Sequence, residues 1–274
     1  MRFWHQSLTE LDRLPAYRDA MAAHFQRVGR PDTVVDLHGM APGTYATLYP
    51  GVDIRYHYVQ ALHSLQVLRN VQRAEREGYD GFLLMTLPEP VLEEARTLVD
   101  IPVVGYGQSS MHVAGMLGRR FAILAMITEL VPLYESHIAK HGMSGKAWGV
   151  VPLGLEFTDI VAGFERAEPV LEHVRKLTRR LAADGVDAVI PGEAPVAALL
   201  SAAGLHRVDE VPIVDALGAT LASGEMMATL ARRSGQRMAR TGYYTQRPPA
   251  GRLEELERYY RVDTLGERHG DPRP

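Results

Sequence analysis

Residues 78–105, GYDGFLLMTLPEPVLEEARTLVDIPVVG, recur in looser form at residues 185–215, GVDAVIPGEAPVAALLSAAGLHRVDEVPIVD. Each copy reads Gly-x-Asp, a short apolar run, a turn containing Pro, an amphipathic helical stretch and a Pro-led apolar run. An apolar run of strand length, a helix and a second buried strand make a β-α-β unit, and two such units in one chain predict two similar lobes. Laid over each other, the copies place Thr86 on Glu193 and Pro88 on Pro195. Both turns leave the carboxyl ends of their strands, the edge where open parallel sheets hold ligands. The expected fold is therefore α/β, with two pseudo-symmetric lobes, each a parallel sheet flanked by helices, and the active site between them.

Outward from these units, Arg2–Trp4 begins a strand and Leu11–Val28 has helical spacing. TVVDL at residues 33–37 reads as a second strand, and Tyr56–Glu77 as a helix feeding the first unit. Phe121–Met126 and Ala147–Pro152 are apolar strands around a helix at Glu129–His141. Gly154–Arg166 is a loop or short helix, and Glu168–Asp184 is a charged amphipathic helix. Ala216–Thr241 reads as a helix returning to the first lobe. This gives a first lobe of residues 1–107 plus 216–245, a second of 108–215, and a C-terminal extension of 246–274. The extension carries a short helix after Pro248-Pro249 and a tail, GERHGDPRP, with a disordered composition.

With 46% hydrophobic and 23% charged residues, the 274-residue chain has the composition of a globular protein able to bury a large core. A formal charge of -3 predicts no general affinity for nucleic acid or anionic membrane. No apolar run is long enough to span a bilayer, and MRFWHQSLTE lacks the pattern of a secretory signal, so a cytoplasmic location is the expectation. The chain has no cysteine, which excludes disulfides, zinc–thiolate sites and thiol nucleophiles.

The segments YPGVDIRYHYVQA (residues 49–61), the first unit ending in IPVVG, the SSMHVA that follows, and the second unit with VPIVDA resemble the aspartate/glutamate racemase superfamily. The likeness is strongest to its hydantoin and allantoin racemase branch and runs from about Arg2 to Ala222. The resemblance implies a homo-oligomeric enzyme without a cofactor, acting on a small molecule between two lobes, with one cysteine from each turn flanking the substrate carbon. Thr86 and Glu193 stand where those thiols would be, so a two-thiol reaction cannot operate here.

Glu193 follows a buried strand, where a carboxylate is costly unless paired or protonated, and helix N-caps account for many such acids. As a base it is weaker than a thiolate by about four pKa units, or ~6 kcal/mol. It would need burial, or a substrate proton more acidic than that of an amino acid. Thr86 can donate a hydrogen bond to a developing oxyanion but cannot itself hold a proton in transit. One ionisable group on one face favours an isomerase or lyase acting on a small carboxylate or hydantoin-like compound: double-bond isomerisation, decarboxylation or elimination, or a racemisation that uses another residue. Hydrolysis is a further reading. His112 matches the family's histidine after the fourth strand and is the candidate second acid/base, or else a helix-cap residue. His5, Gln6, Ser7, His38, Ser109 and Ser110 end strands or open helices on the same edge and are the candidate substrate-binding residues. His57 and Tyr58 are expected to pack within the first lobe, and Glu89 to cap the helix after its turn. A second reading takes His5, His38 and Glu193 as ligands of a divalent metal in a hydrolase, and a third keeps the cleft as a non-catalytic small-molecule binding site.

Overall fold

The computed structural model describes residues 1–262. The disorder expected of the final residues falls outside that range. In chain order the first lobe contributes β1 (Arg2–Gln6), α1 (Pro15–Val28), β2 (Val34–His38), α2 (Gly51–Ile54), α3 (His57–Arg76), β3 (Gly81–Leu84), α4 (Leu92–Leu98) and β4 (Val103–Gly105). Then come α5 (Tyr106–Leu117), β5 (Phe121–Ala125), α6 (Val131–Lys140), β6 (Ala147–Pro152), α7 (Phe157–Gly163), α8 (Glu168–Ala183), β7 (Ala188–Pro191) and α9 (Ala194–Ala202). A hairpin of two-residue strands, β8 (Arg207–Val208) and β9 (Val211–Pro212), leads to α10 (Ala216–Ser234) and α11 (Ala250–Tyr260).

The two sheets repeat one topology. The first has the order β2-β1-β3-β4, all parallel. The second has the order β6-β5-β7, also parallel, and Ile213 bridges to Val189 where β4 stands in the first. Phe3 pairs with Gly81 and Phe121 with Ala188, so Leu8 corresponds to Met126 and Thr9 to Ile127. The same register sets Thr86 against Glu193. Buried runs such as GFLL in β3 and AVIP in β7 are apolar throughout because helices cover both faces of a parallel sheet. α8 buries Val170, Leu171, Val174, Leu177 and Leu181, the stripe its sequence spacing predicts.

The pseudo-symmetry breaks at the two turns. Glu193 is the N-cap of α9, which starts at once with Pro195 in its first turn. After Thr86 the chain instead makes a loop before α4, with Glu89 and Val91 at φ of 44° and 56°. A β-branched residue in the left-handed region is strained, at a cost of about 1–3 kcal/mol, so surrounding contacts must hold this loop. α10 packs against β3, β4 and α5 and ends at Ser234, short of the expected Thr241, because Gly235 takes the left-handed conformation (φ 68°) that closes helices. The extension lies on its own chain: Arg247 pairs with Asp100 and Glu75, and Glu257 of α11 accepts from Gln72.

Candidate active site between the two lobes

A small cavity of about 50 Å³ lies at the seam where the carboxyl ends of both sheets meet. The first lobe supplies Ser7, Thr9, Tyr17, Tyr49 and Thr86. The second supplies Met126, Ile127, Tyr134, Phe157 and Glu193. The two positions singled out by the internal repeat therefore share one cavity.

Glu193 is almost completely buried. Although it is the N-cap of α9, its side chain does not bond to that helix. It reaches across to the end of β5. Oε2 accepts from the Met126 N–H at 2.9 Å, and Oε1 accepts from the Ile127 N–H at 3.2 Å and the Tyr134 hydroxyl at 3.0 Å. Burial pushes its pKa up to about 7, against the pull of these three donors, which favour the ionised form. A carboxylate has capacity for about four hydrogen bonds, so with one acceptance Oε2 retains room for a substrate proton. In the first lobe the N–H that corresponds to Ile127's is satisfied internally, since Thr9 N–H donates to Ser7 Oγ at 3.0 Å. Only the second lobe's turn thus carries an ionisable group in the cavity. Tyr49, stacked on Phe157 at 5.0 Å between centroids, has its phenol pushed up to about 12, chiefly by burial and then by the nearby Glu193.

Several other expected residues are placed elsewhere. His112 is exposed on α5, its Nδ1 2.7 Å from the Gln108 carbonyl, in a separate surface groove with Met116 and Met226. It is not positioned to serve Glu193's cavity, because the helix phase turns it outward. Ser109 borders that same groove, and Ser110 is fully buried and donates to the Gly107 carbonyl, so neither lines the cavity. Of the first strand's exit, Ser7 reaches the cavity and His5 and Gln6 do not. Gln6 is a buried brace, donating to the carbonyls of Ser7 and Gly39 and accepting from Trp4 and Asn70. His5 packs on Phe25, and burial holds its pKa down to about 3. His38 stacks on Trp4 at 3.5 Å and borders a different hollow. His5, His38 and Glu193 do not converge; among the described residues the metal-capable group is Glu89, His137 and His141. Glu89 does not cap α4 but turns toward α6. His57 and Tyr58 are exposed rather than packed.

Asp215 caps α10 and accepts from His24 Nε2 at 2.9 Å, while Ser201 Oγ lies 2.8 Å from His24 Nδ1. The order resembles a hydrolytic triad, but Arg27 also donates to Nδ1 at 2.8 Å. The cluster ties α1, α9 and α10 together. Tyr134 and Phe157 carried no sequence signal, since each is a single residue on an element that the repeat does not mark; Tyr49 opens the segment 49–61 that carries the family resemblance, but nothing there pointed to the cavity.

Two pseudo-symmetric α/β lobes with a cavity at their seam define a class of fold shared with racemases. The chain belongs to the Asp/Glu/Hydantoin racemase family, whose match covers residues 16–224. A hydantoin racemase of Pseudomonas sp. (strain NS671) is 27% identical over 210 residues, 75% of this chain and 81% of that protein. Allantoin racemase from Klebsiella pneumoniae has the same fold, with a TM-score of 0.74 at 22% identity over 91% of this chain and 94% of its own. The allantoin racemase of Pseudomonas fluorescens gives 0.73 at 18% identity, over 91% and 98%. Among the described residues, no helix is long and apolar enough to cross a membrane.

Proposed function

We propose that this chain is a cofactor-independent, racemase-like isomerase or lyase in which Glu193 takes a proton from a small, uncharged, hydantoin-like cyclic amide. The observation that carries this reading is Glu193 itself: buried in the interlobe cavity, held by three donors, with its pKa pushed up to about 7. A base poised there is half-ionised at neutral pH and strong enough to matter, as general catalysis requires. The ring C–H of a hydantoin lies beside a carbonyl and an amide nitrogen, so its carbanion delocalises into an enolate. That suits a base weaker than a thiolate. Thr86 has a hydroxyl that can donate to the enolate oxygen.

The cavity's chemistry favours the cyclic amide over a small carboxylate. No Lys, Arg or His is among its lining residues. A carboxylate entering beside ionised Glu193 would bury two like charges without a counter-charge, whereas an imide and amide can bond to hydroxyls and backbone groups. The hydantoin and allantoin racemases among the relatives agree with that class. The experiment compares kcat/KM for 5-substituted hydantoins with that for small mono- and dicarboxylates. The neutral rings are expected to be preferred by about 10²-fold or more, corresponding to ~3 kcal/mol. Preference for a carboxylate would overturn the assignment, and saturable binding without turnover of any of them would favour a non-catalytic binding protein.

A further inference from the structure

We infer that Glu89, His137 and His141 form a binding site for a divalent transition-metal ion of the zinc type, clasping the first lobe's strained turn to α6 of the second. The three ligand atoms lie within 4.8 Å of one another. His137 and His141 stand at i and i+4, the spacing that puts two imidazoles on one face at a helix end for chelation. Glu89 arrives from the loop after Thr86. Its Oε2 is 2.6 Å from His141 Nε2 and 3.7 Å from His137 Nδ1. All three side chains are at least nine-tenths buried, with exposures of 0% for Glu89, 3% for His141 and 8% for His137.

A Glu89–His141 hydrogen bond accounts for two of these groups and leaves the third unexplained. His137 Nδ1 is buried with no hydrogen-bond partner, and 3.7 Å is too long for a bond to Oε2. Buried polar atoms are nearly always satisfied, and an ion drawn between Oε2, Nε2 and Nδ1 would use this one. One carboxylate and two neutral imidazoles suit zinc in charge and softness. The carboxylate is also pre-oriented, since Oε1 accepts from the Gln108 N–H at 2.7 Å and the glycine backbone at Gly105 and Gly107 lies against it. Lys140 beside the site is already engaged by Glu93 at 2.5 Å.

None of the three residues lines the cavity of Glu193, so the ion is structural. Its location still matters to that cavity. Glu89 follows Thr86 by three residues, and His137 follows Tyr134, which holds Glu193, by about one helical turn. Coordination would fix both walls at once and offset the strain at Glu89 and Val91.

The test uses the full-length chain, free of any affinity tag and stripped with chelator. Zn²⁺ is titrated by calorimetry and Co²⁺ by its visible d–d absorption. The expected result is one equivalent per chain with a Kd of about 1 μM or tighter, intensified tetrahedral cobalt bands, and a higher Tm with Zn²⁺ present. His137→Ala spares the Glu89–His141 hydrogen bond and is expected to weaken the affinity by about 10²-fold. His137→Gln serves if the alanine variant fails to fold. Absence of saturable binding to the wild type, or unchanged affinity in a folded His137 variant, overturns the site.

Discussion

Glu193→Gln is expected to lower kcat by about 10²–10⁴-fold while the protein remains folded, because it removes the group that takes the proton and little else. The glutamine oxygen can keep one or two of the donors now held by the carboxylate, but its amide nitrogen cannot accept. At least one of Met126 N–H, Ile127 N–H and the Tyr134 hydroxyl then loses its partner, at a cost of about 1–3 kcal/mol each. A compensating gain comes from ionisation. In the wild type the pKa of Glu193 is raised from 4.5 to about 7 on folding, so between those values the folded state keeps a proton that the unfolded state has released. Stability therefore falls as pH rises through that window, by about 3 kcal/mol, and levels off above it. The amide has no such ionisation. Denaturant unfolding over a pH series is expected to show the decline in wild type and its loss in the variant, with similar stabilities above pH 7. Turnover close to wild type in a folded Glu193→Gln would remove this residue from the reaction.

Gly105→Ala is expected to produce a large loss of stability, because the added methyl meets a buried carboxylate. The backbone at Gly105 is ordinary extended chain (φ −98°), so the effect is steric. A Cβ there would come within 2.0 Å of Glu89 Oε1 and 3.1 Å of Leu92 Cδ2. The carboxylate would have to leave the Gln108 N–H and His141 while remaining buried, and a buried carboxylate stripped of its partners costs about 3–5 kcal/mol. For a chain of this size that is roughly 10 °C in Tm. Gly145→Ala, where no atom lies within 4 Å of the added carbon, is the control and is expected to change stability by less than about 0.5 kcal/mol. Equal Tm values for the two variants would contradict the close packing of Glu89 against β4.

The contrast between these sites shows how far the sequence carries. The lobes were legible because the β-α-β pattern is local and occurs twice, and the same overlay brought Thr86 and Glu193 to one cavity. What failed depended on direction rather than position. His112 occupies the expected place on α5, but three residues decide a helical face, and its side chain leaves toward solvent. His5 and His38 end neighbouring strands, yet one packs on Phe25 and the other on Trp4, so ligands inferred from a shared sheet edge never meet. Glu89 looked like a cap because its turn precedes a helix. The left-handed backbone at Glu89 and Val91, which no motif announces, sends it to α6 instead. Tyr134 was invisible for a related reason, since its partner lies 59 residues away.

A cavity with one ionisable carboxylate, faced by a hydroxyl, differs in kind from one with matched bases on both faces. The direct measurement is turnover of an enantiopure 5-substituted hydantoin in D2O, following deuterium at the ring carbon by NMR and configuration by polarimetry, with the enzyme-free rate subtracted. Proton removal by Glu193, with return mainly from Glu193 and more slowly from solvent on the opposite face, predicts deuterium accumulating in the recovered starting enantiomer faster than inversion occurs, and neither process in Glu193→Gln. A starting enantiomer that stays protiated while its mirror image forms fully deuterated would mean a separate base on the second face, and would contradict the account.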